Sequence, residues 1–223
     1  MNPLLLLALL AHLSATPLCL PAATVEAMRQ LGAPMELRTL ASQLPVHRDG
    51  VDLFDLRIWL QDHGWDALVA APDRAVIERL VRAGHPVVLL VAEAGGVHAV
   101  TLLSADDQTV RVFDSRASAI LQRPWRSTLL SAHAALVLWK ANRGSPGALI
   151  GDQAWRKLVA QDQEFVAAGW LRRAAEHKTA NAQKRELVLK ALEAARGNAE
   201  ARAALQEIDA QLRAAPGQAA RMR

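Results

Sequence analysis

The sequence predicts an α+β fold, and three observations lead to this class. Apolar residues first recur at helical spacing, then form short runs of strand length, and finally return to helical spacing in a region rich in Ala, Leu, Glu and Arg. Helices and strands that occupy separate parts of a chain are typical of α+β proteins, whereas alternating elements are typical of parallel sheets. We therefore expect N-terminal helices packed on an antiparallel sheet, followed by an all-helical appendage.

Four helices are predicted in the first half of the chain, because apolar residues recur every three or four positions before a Gly or Pro. They cover residues 22–31, 35–44, 51–60 and 73–83. Five apolar segments have the length and the Val and Leu content of buried strands. They cover residues 65–70, 86–92, 97–103, 109–113 and 134–139.

Changes in composition predict the domain boundaries. Residues 142–147 read Asn-Arg-Gly-Ser-Pro-Gly, which is the composition of a linker. We expect four parts in chain order. They are an apolar N-terminal segment at 1–15, an α+β domain at 16–140, a linker at 141–150 and a basic helical region at 151–223.

The composition and the helical spacing of the C-terminal region predict two or three helices, with interruptions near residues 179–181 and 197–198. Leu205, Ile208 and Leu212 form one apolar stripe, and residues 187–192 carry another. Two stripes on short helices predict an antiparallel helical hairpin, which resembles a single tetratricopeptide-like unit. Such a hairpin is a candidate docking arm for a protein partner.

The net charge of +4 arises from the C-terminal region, because basic and acidic residues balance in residues 1–150. A basic surface can bind nucleic acid or anionic lipid. Here the two signs are interspersed, and no aromatic residue follows Trp170 to stack on bases. We interpret the charge as a solvated helical surface and expect no nucleic-acid partner.

The first 15 residues have the length of a signal peptide and end in small residues at Ser14 and Ala15. The apolar run lacks a preceding Lys or Arg, and His12 interrupts its end. If the segment is a signal peptide, the protein is periplasmic or secreted, and otherwise it is cytoplasmic. No later segment approaches 18 apolar residues, so we expect no transmembrane domain.

The chain contains one cysteine, Cys19, which lies just before the first predicted helix. A helix N-terminus offers unpaired N–H groups and a positive dipole end, and both stabilise a thiolate. The same N–H groups can receive the oxyanion of a tetrahedral intermediate. Position alone leaves three interpretations open: a nucleophile, a small buried apolar residue, or part of a discarded leader. One cysteine excludes a disulfide within the chain and metal sites built on Cys pairs.

A histidine and an aspartate occupy matching positions on two predicted strands. His98 begins one strand, after the pair Gly95-Gly96, and Asp114 ends the next. A hairpin turn at Asp106-Asp107 would bring the two side chains together. A carboxylate beside an imidazole fixes the tautomer of the ring and supports its cationic form. A lone histidine on a strand is usually structural, whereas this pairing leaves two interpretations open, a structural histidine and a catalytic base.

These three residues lie in motifs that resemble C39-like peptidases, which process bacteriocin leaders. The segment Cys19–Ala23 resembles the family's Cys-Gly-Pro-Ala motif, and Val97–Val100 resembles its His-Phe-Val-Val strand. The segment Val112–Ser115 is similar to the strand that ends in Asp-Pro. Order and intervals agree, and the resemblance covers residues 16–140.

Motifs away from the triad carry the same resemblance. Gly32 stands where the family has a helix-ending Gly. The segment Gly50–Leu56 resembles its Gly-Thr-Ser-Leu-x-x-Leu helix start, and Gly84–Leu89 resembles its Gly-x-Pro-Val-Ile strand.

The resemblance implies a papain-like fold and a bacterial thiol protease, a hydrolase with the catalytic triad Cys19, His98 and Asp114. It implies a peptide or protein substrate that is cleaved after small residues such as Gly-Gly, with no cofactor and no metal. The alternative is a catalytically weak or inactive peptide-binding module that uses the same cleft.

Three positions depart from the family pattern. The family has a Gln six residues before the cysteine, where it helps to form the oxyanion hole, and this chain has Leu13. The Gly after the cysteine is Leu20, and the Pro after the aspartate is Ser115. Loss of one oxyanion donor costs about a hundredfold to a thousandfold in rate. We therefore expect any hydrolysis to be slow.

Overall fold

A computed structural model describes residues 17–47, 50–93, 96–176 and 181–214. The candidate signal segment and Leu13 lie outside these ranges. The helices are α1 Cys19–Gln30, α2 Leu37–Ser42, α3 Leu53–Asp62, α4 Arg74–Arg82, α5 Trp125–Leu130, α6 Gly147–Ile150, α7 Asp152–Glu176, α8 Asn181–Ala194 and α9 Ala199–Ala214. The strands are β1 Val46–His47, β2 Gly50–Val51, β3 Trp65–Ala70, β4 Val87–Glu93, β5 Gly96–Ala105, β6 Thr109–Asp114, β7 Ala119–Pro124 and β8 Ala132–Lys140.

Six strands form one antiparallel sheet in the order β3-β8-β4-β5-β6-β7. β1 and β2 form a separate two-stranded ribbon. Helix α1 packs against β5 in the middle of the large sheet. The predicted α+β class, with N-terminal helices on an antiparallel sheet and helices at the C-terminal end, is therefore confirmed.

The helix boundaries follow from local capping chemistry. Helix α1 ends where Gly32 adopts a φ of 73°, and the Ala33 N–H donates to the Met28 carbonyl at 3.0 Å. The Asp52 carboxylate accepts from the Phe54 N–H at 2.8 Å and caps α3. These ends and the five predicted strands are confirmed to within a few residues.

Two elements without a predicted counterpart, β7 and α5, lie between the strand that carries Asp114 and the final strand. Strand β7 lies at the edge of the sheet, and its residues alternate between partial burial and exposure. Because β7 contains polar and charged residues, it has no continuous apolar run that would predict a strand. The short helix α5 follows, and its Trp125 is 1% exposed and donates through Nε1 to the Asp106 carbonyl at 2.9 Å.

The described chain divides into two compact units after Gln161. The first unit contains the large sheet, and its core includes Ile150 and Leu158 beside sheet residues such as Val87 and Val137. The segment that the sequence predicts as a linker thus forms a 3-10 turn and helix α6, and its Ile150 is buried. Whether residues 16–140 suffice as a domain stays a prediction.

The second unit contains the rest of α7 with α8 and α9, and small side chains form its core. Ala167, Ala191, Ala195 and Ala201 are buried there. Arg185 near the start of α8 pairs with an aspartate near the end of α9, so these helices run antiparallel. The predicted helical hairpin is confirmed. No helix among the described residues is long and apolar enough to cross a membrane.

Candidate active site

Cys19 is the first residue of α1, and its side chain is 1% exposed. Pro21 lies in the first turn, where the missing N–H breaks no intrahelical hydrogen bond. The cysteine is therefore fixed at the N-terminal end of a helix, as the sequence predicts.

Two buried hydroxyl groups donate to carbonyls at this end of the helix, and one of them comes from the sheet. Thr101 on β5 donates through Oγ1 to the Ala23 carbonyl of α1 at 2.6 Å. Thr24 donates to the Leu20 carbonyl within the helix at 2.9 Å. Because β5 also carries His98, the Thr101 hydrogen bond sets the position of Cys19 relative to that histidine.

His98 and Asp114 form a buried hydrogen-bonded pair across β5 and β6. Asp114 is in register with Val100, two residues along the strand from His98. The His98 Nε2–H donates to Asp114 Oδ1 at 2.8 Å, and the residues are 0% and 5% exposed. The predicted hairpin is confirmed, since Asp106 closes the turn by accepting from the N–H groups of Gln108 and Thr109.

The neighbours of the pair favour its charged form. Burial lowers the pKa of His98, but interactions with Cys19 and Asp114 outweigh burial and raise that pKa above its ordinary value. Burial likewise raises the pKa of Asp114, but hydrogen bonds from His98 and the Arg116 N–H, with the charges of His98 and Arg123, lower that pKa overall. An imidazolium facing a carboxylate is the state that these interactions stabilise.

The second ring nitrogen of the histidine remains available. His98 Nδ1 is buried, and within the described part of the chain no nitrogen or oxygen atom is its hydrogen-bond partner. Buried polar atoms without a partner are uncommon and need an explanation. Cys19 acts on the pKa of the same ring, which indicates that a thiol and an imidazole interact here.

Sequence reasoning missed three charged residues around Asp114. Arg123 Nη2 pairs with Asp114 Oδ2, and Arg123 Nη1 pairs with Glu93 at 3.0 Å. Arg116 Nη1 also pairs with Glu93, at 2.7 Å. These residues belong to β4, β7 and the turn before β7, and only the topology of the sheet brings them together. No local motif in the sequence marks them.

Of the positions that depart from the family pattern, Leu20 is described in the structure and Leu13 is not. Leu20, which replaces the family Gly, is 2% exposed and belongs to the core. Leu13, which replaces the family Gln, lies outside the described residues. Among the residues that are described, no cluster of three or more His, Cys, Asp or Glu side chains could hold a metal ion.

Helix α1 packed on the large antiparallel sheet is the fold of papain-like, C39-like peptidase domains. The peptidase domain of Streptococcus ComA, a bi-functional ABC transporter involved in a quorum-sensing pathway, is similar in structure with a TM-score of 0.50. The two sequences are 10% identical, and the match covers 56% of this chain and 92% of that chain.

Two further solved structures are similar at lower TM-scores. A double glycine motif protease from an AMS/PCAT transporter, in complex with its leader peptide, has a TM-score of 0.46 and 16% identity, and the match covers 56% of this chain and 86% of that chain. The N-terminal peptidase C39 like domain of a Vibrio parahaemolyticus toxin secretion ATP-binding protein has a TM-score of 0.45 and 16% identity, with 56% and 98% covered. No family model matches the sequence, and no curated protein matches it.

Proposed function

We propose that this protein is a cysteine-type peptidase that cleaves a peptide or leader bond with the triad Cys19, His98 and Asp114. The observation that carries the proposal is the 2.8 Å hydrogen bond from His98 Nε2 to Asp114, on an imidazole whose pKa Cys19 also raises. A thiol, an imidazole and an orienting carboxylate are the groups that nucleophilic acyl transfer requires.

In this mechanism His98 takes the proton of the Cys19 thiol, and the thiolate attacks the carbonyl carbon of the scissile bond. A carbon–sulfur bond forms, and the carbonyl oxygen becomes an oxyanion. His98 then donates its proton to the leaving amine as the carbon–nitrogen bond breaks, which leaves an acyl-enzyme that water hydrolyses. Asp114 keeps Nε2 protonated, so that Nδ1 is the nitrogen that exchanges the proton.

The burial of the pair suits this chemistry. Cys19 and His98 are almost completely shielded from solvent, and charge interactions are stronger in such surroundings than in water. The N–H of Cys19 at the start of α1 supplies one donor for the oxyanion. In the family that the chain resembles, a Gln six residues before the cysteine supplies a second donor, and this chain has Leu13 at that position.

The resemblance to leader-processing peptidases supports a substrate with small residues before the scissile bond, such as Gly-Gly. The similar ComA structure is also described as a peptidase domain. The C-terminal helical hairpin is a candidate docking arm for a protein partner, because together with the end of α7 it forms a compact unit.

The proposal predicts a thiol that reacts with iodoacetamide near pH 6, where an ordinary thiol of pKa about 8.5 is less than about 1% ionised. Pairing with His98 should raise the thiolate fraction about a hundredfold or more. Because a thiolate of lower pKa is a weaker nucleophile, the alkylation rate should lose about tenfold of this gain. We expect alkylation of the wild-type protein to be at least about tenfold faster than that of His98→Ala. Intact mass measures the rate.

His47→Ala is the matched control, because His47 is exposed on β1. It should react at the wild-type rate. Equal, slow rates in the wild type and His98→Ala would refute the thiolate–imidazolium pair.

The missing oxyanion donor gives a second prediction. If Leu13 occupies the place of the family Gln, Leu13→Gln should raise kcat for a Gly-Gly peptide by about tenfold and leave KM unchanged, because the amide stabilises charge present only in the transition state. The full-length chain is required, so intact mass must show that residues 1–15 are retained. A Leu13→Asn variant, whose amide is shorter by one methylene, is the control. Equal kcat values for all three proteins would contradict the assignment of position 13.

A further inference from the structure

We propose that Arg123 is a positioning residue, which holds the Asp114 carboxylate in the plane and orientation that His98 requires. This inference rests on the proposed function, because it assigns Asp114 the role of orienting His98. The supporting observation is that the two oxygens of Asp114 have separate partners. Oδ1 accepts from His98 Nε2 at 2.8 Å and from the Arg116 N–H at 2.9 Å, and Oδ2 pairs with Arg123 Nη2.

A buried carboxylate needs partners for both oxygens. The Asp114 side chain is 6% exposed, so water cannot replace a lost partner freely. Burial of a charge without a partner is costly, and the group then either turns towards solvent or takes up a proton. A protonated or rotated Asp114 no longer holds the Nε2–H of His98. Arg123 prevents both changes, because its guanidinium pairs with the oxygen that His98 does not use.

Arg123 is itself held in place. Its Nη1 pairs with Glu93 Oε1 at 3.0 Å, and Arg116 Nη1 pairs with Glu93 Oε2 at 2.7 Å. The Arg116 backbone N–H donates to Asp114, so the four residues form a closed ring in which three links join side chains and the fourth is this backbone hydrogen bond. The ring joins β4, β6, β7 and the turn between the last two strands. The geometry requires a planar cation with two separate N–H donors, and a lysine supplies only a point charge.

The charged groups that act on Asp114 come from each neighbouring element. His98 faces it from β5 and Arg123 from β7, while the Arg116 N–H reaches it from the following turn. Glu93 acts indirectly through both arginines, and Cys19 acts through His98. Removing Arg123 therefore leaves His98 as the one side-chain partner of Asp114 among the described residues, and the pKa of the carboxyl should rise.

The experiment compares iodoacetamide alkylation of Cys19 at two pH values in the full chain. Near pH 6 the thiolate depends on His98 and Asp114, whereas near pH 9 an ordinary thiol ionises without help. Arg123→Met should lower the rate near pH 6 by about fivefold relative to the rate near pH 9, because a loose carboxylate supports the imidazolium less well. Arg123→Lys should bring the ratio of the pH 6 rate to the pH 9 rate part of the way back to the wild-type value, because lysine returns the charge but not the planar fork.

Two further variants keep the result interpretable. Glu93→Gln leaves Arg123 in place but weakens its tether, so it should shift the ratio in the same direction and by less. Arg111→Met is the control, because Arg111 lies exposed on the strand that carries Asp114. It should match the wild type. An Arg123→Met protein with the wild-type ratio, or with equal losses at both pH values, would overturn the positioning role.

A second readout separates this inference from the proposed function. Carbon-13 NMR of the carboxyl groups follows the titration of Asp114 whether or not Cys19 reacts. We expect its pKa to be low in the wild type and in Arg111→Met, and to rise in Arg123→Met and Glu93→Gln. If the wild type and His98→Ala react with iodoacetamide alike, the peptidase proposal fails. An unchanged Asp114 titration in both Arg123→Met and Glu93→Gln would overturn the role of Arg123 alone.

Discussion

Replacing Cys19 by alanine should abolish hydrolysis of synthetic peptides that contain a Gly-Gly bond. Removal of the nucleophile from a triad lowers kcat by up to about a millionfold, and the remaining residues contribute little without it. The thiol here is buried beside a histidine whose pKa it raises, and the sequence contains no other cysteine. Peptide cleavage followed by mass spectrometry measures both the rate and the position of the scissile bond.

Two controls separate loss of chemistry from loss of fold. Cys19→Ser preserves size and hydrogen bonding but replaces the sulfur, so it should fold and bind peptide while hydrolysing it far more slowly. Thermal unfolding by circular dichroism should show similar transitions for the wild type and both variants. Hydrolysis that survives in Cys19→Ala would contradict the assignment of the nucleophile. A wild type that binds the peptide without cleaving it would support the peptide-binding module instead.

The sequence predicted the fold most successfully where apolar residues follow a clear period. The five strands and the helix that begins at Cys19 have such patterns, and His98 and Asp114 lie at positions that a two-strand hairpin brings together. Each of these features depends on residues that are close in the chain. Local spacing and one tight turn were therefore sufficient to place them.

The charged ring around Asp114 could not be predicted in the same way. Glu93 lies 30 residues before Arg123, and the two meet because of the order of strands in the sheet. Strand β7 shows no continuous apolar run, because it lies at the sheet edge and has one exposed face. A search that follows hydrophobic periodicity misses an edge strand of this kind, and with it Arg123, which pairs with Asp114.

The end of the first domain was predicted from linker composition, but burial extends further along the chain. Residues 142–147 are rich in Gly, Ser and Pro, which suggested a boundary soon after Lys140. In the structure Ile150 is 2% exposed, and its carbonyl accepts from Arg79 at 3.1 Å. Composition reports turn-forming residues, and it carries no information on what the next helix covers.

Cutting the chain after Lys140 should therefore destabilise the sheet domain severely, whereas cutting after Gln161 should preserve it. The shorter protein loses Ile150 and Leu158 from the core. It also loses Trp155, which packs edge-on against Trp139 with 5.5 Å between the ring centroids. Loss of one buried Ile or Leu side chain costs about 2–5 kcal/mol. The combined loss is comparable to the total stability of an ordinary domain, which is about 5–15 kcal/mol.

Thermal unfolding monitored by circular dichroism compares the two truncated proteins. We expect a cooperative transition for the cut after Gln161 and, for the cut after Lys140, a Tm lower by at least about 15 °C or no transition at all. Ile150→Ala in the longer protein is the matched control and should lower the Tm by part of this amount, because it creates a cavity without removing the helices. Equal Tm values for the two truncated proteins would show that residues 16–140 fold without the segment that covers them, and would place the domain boundary where the linker composition predicts it.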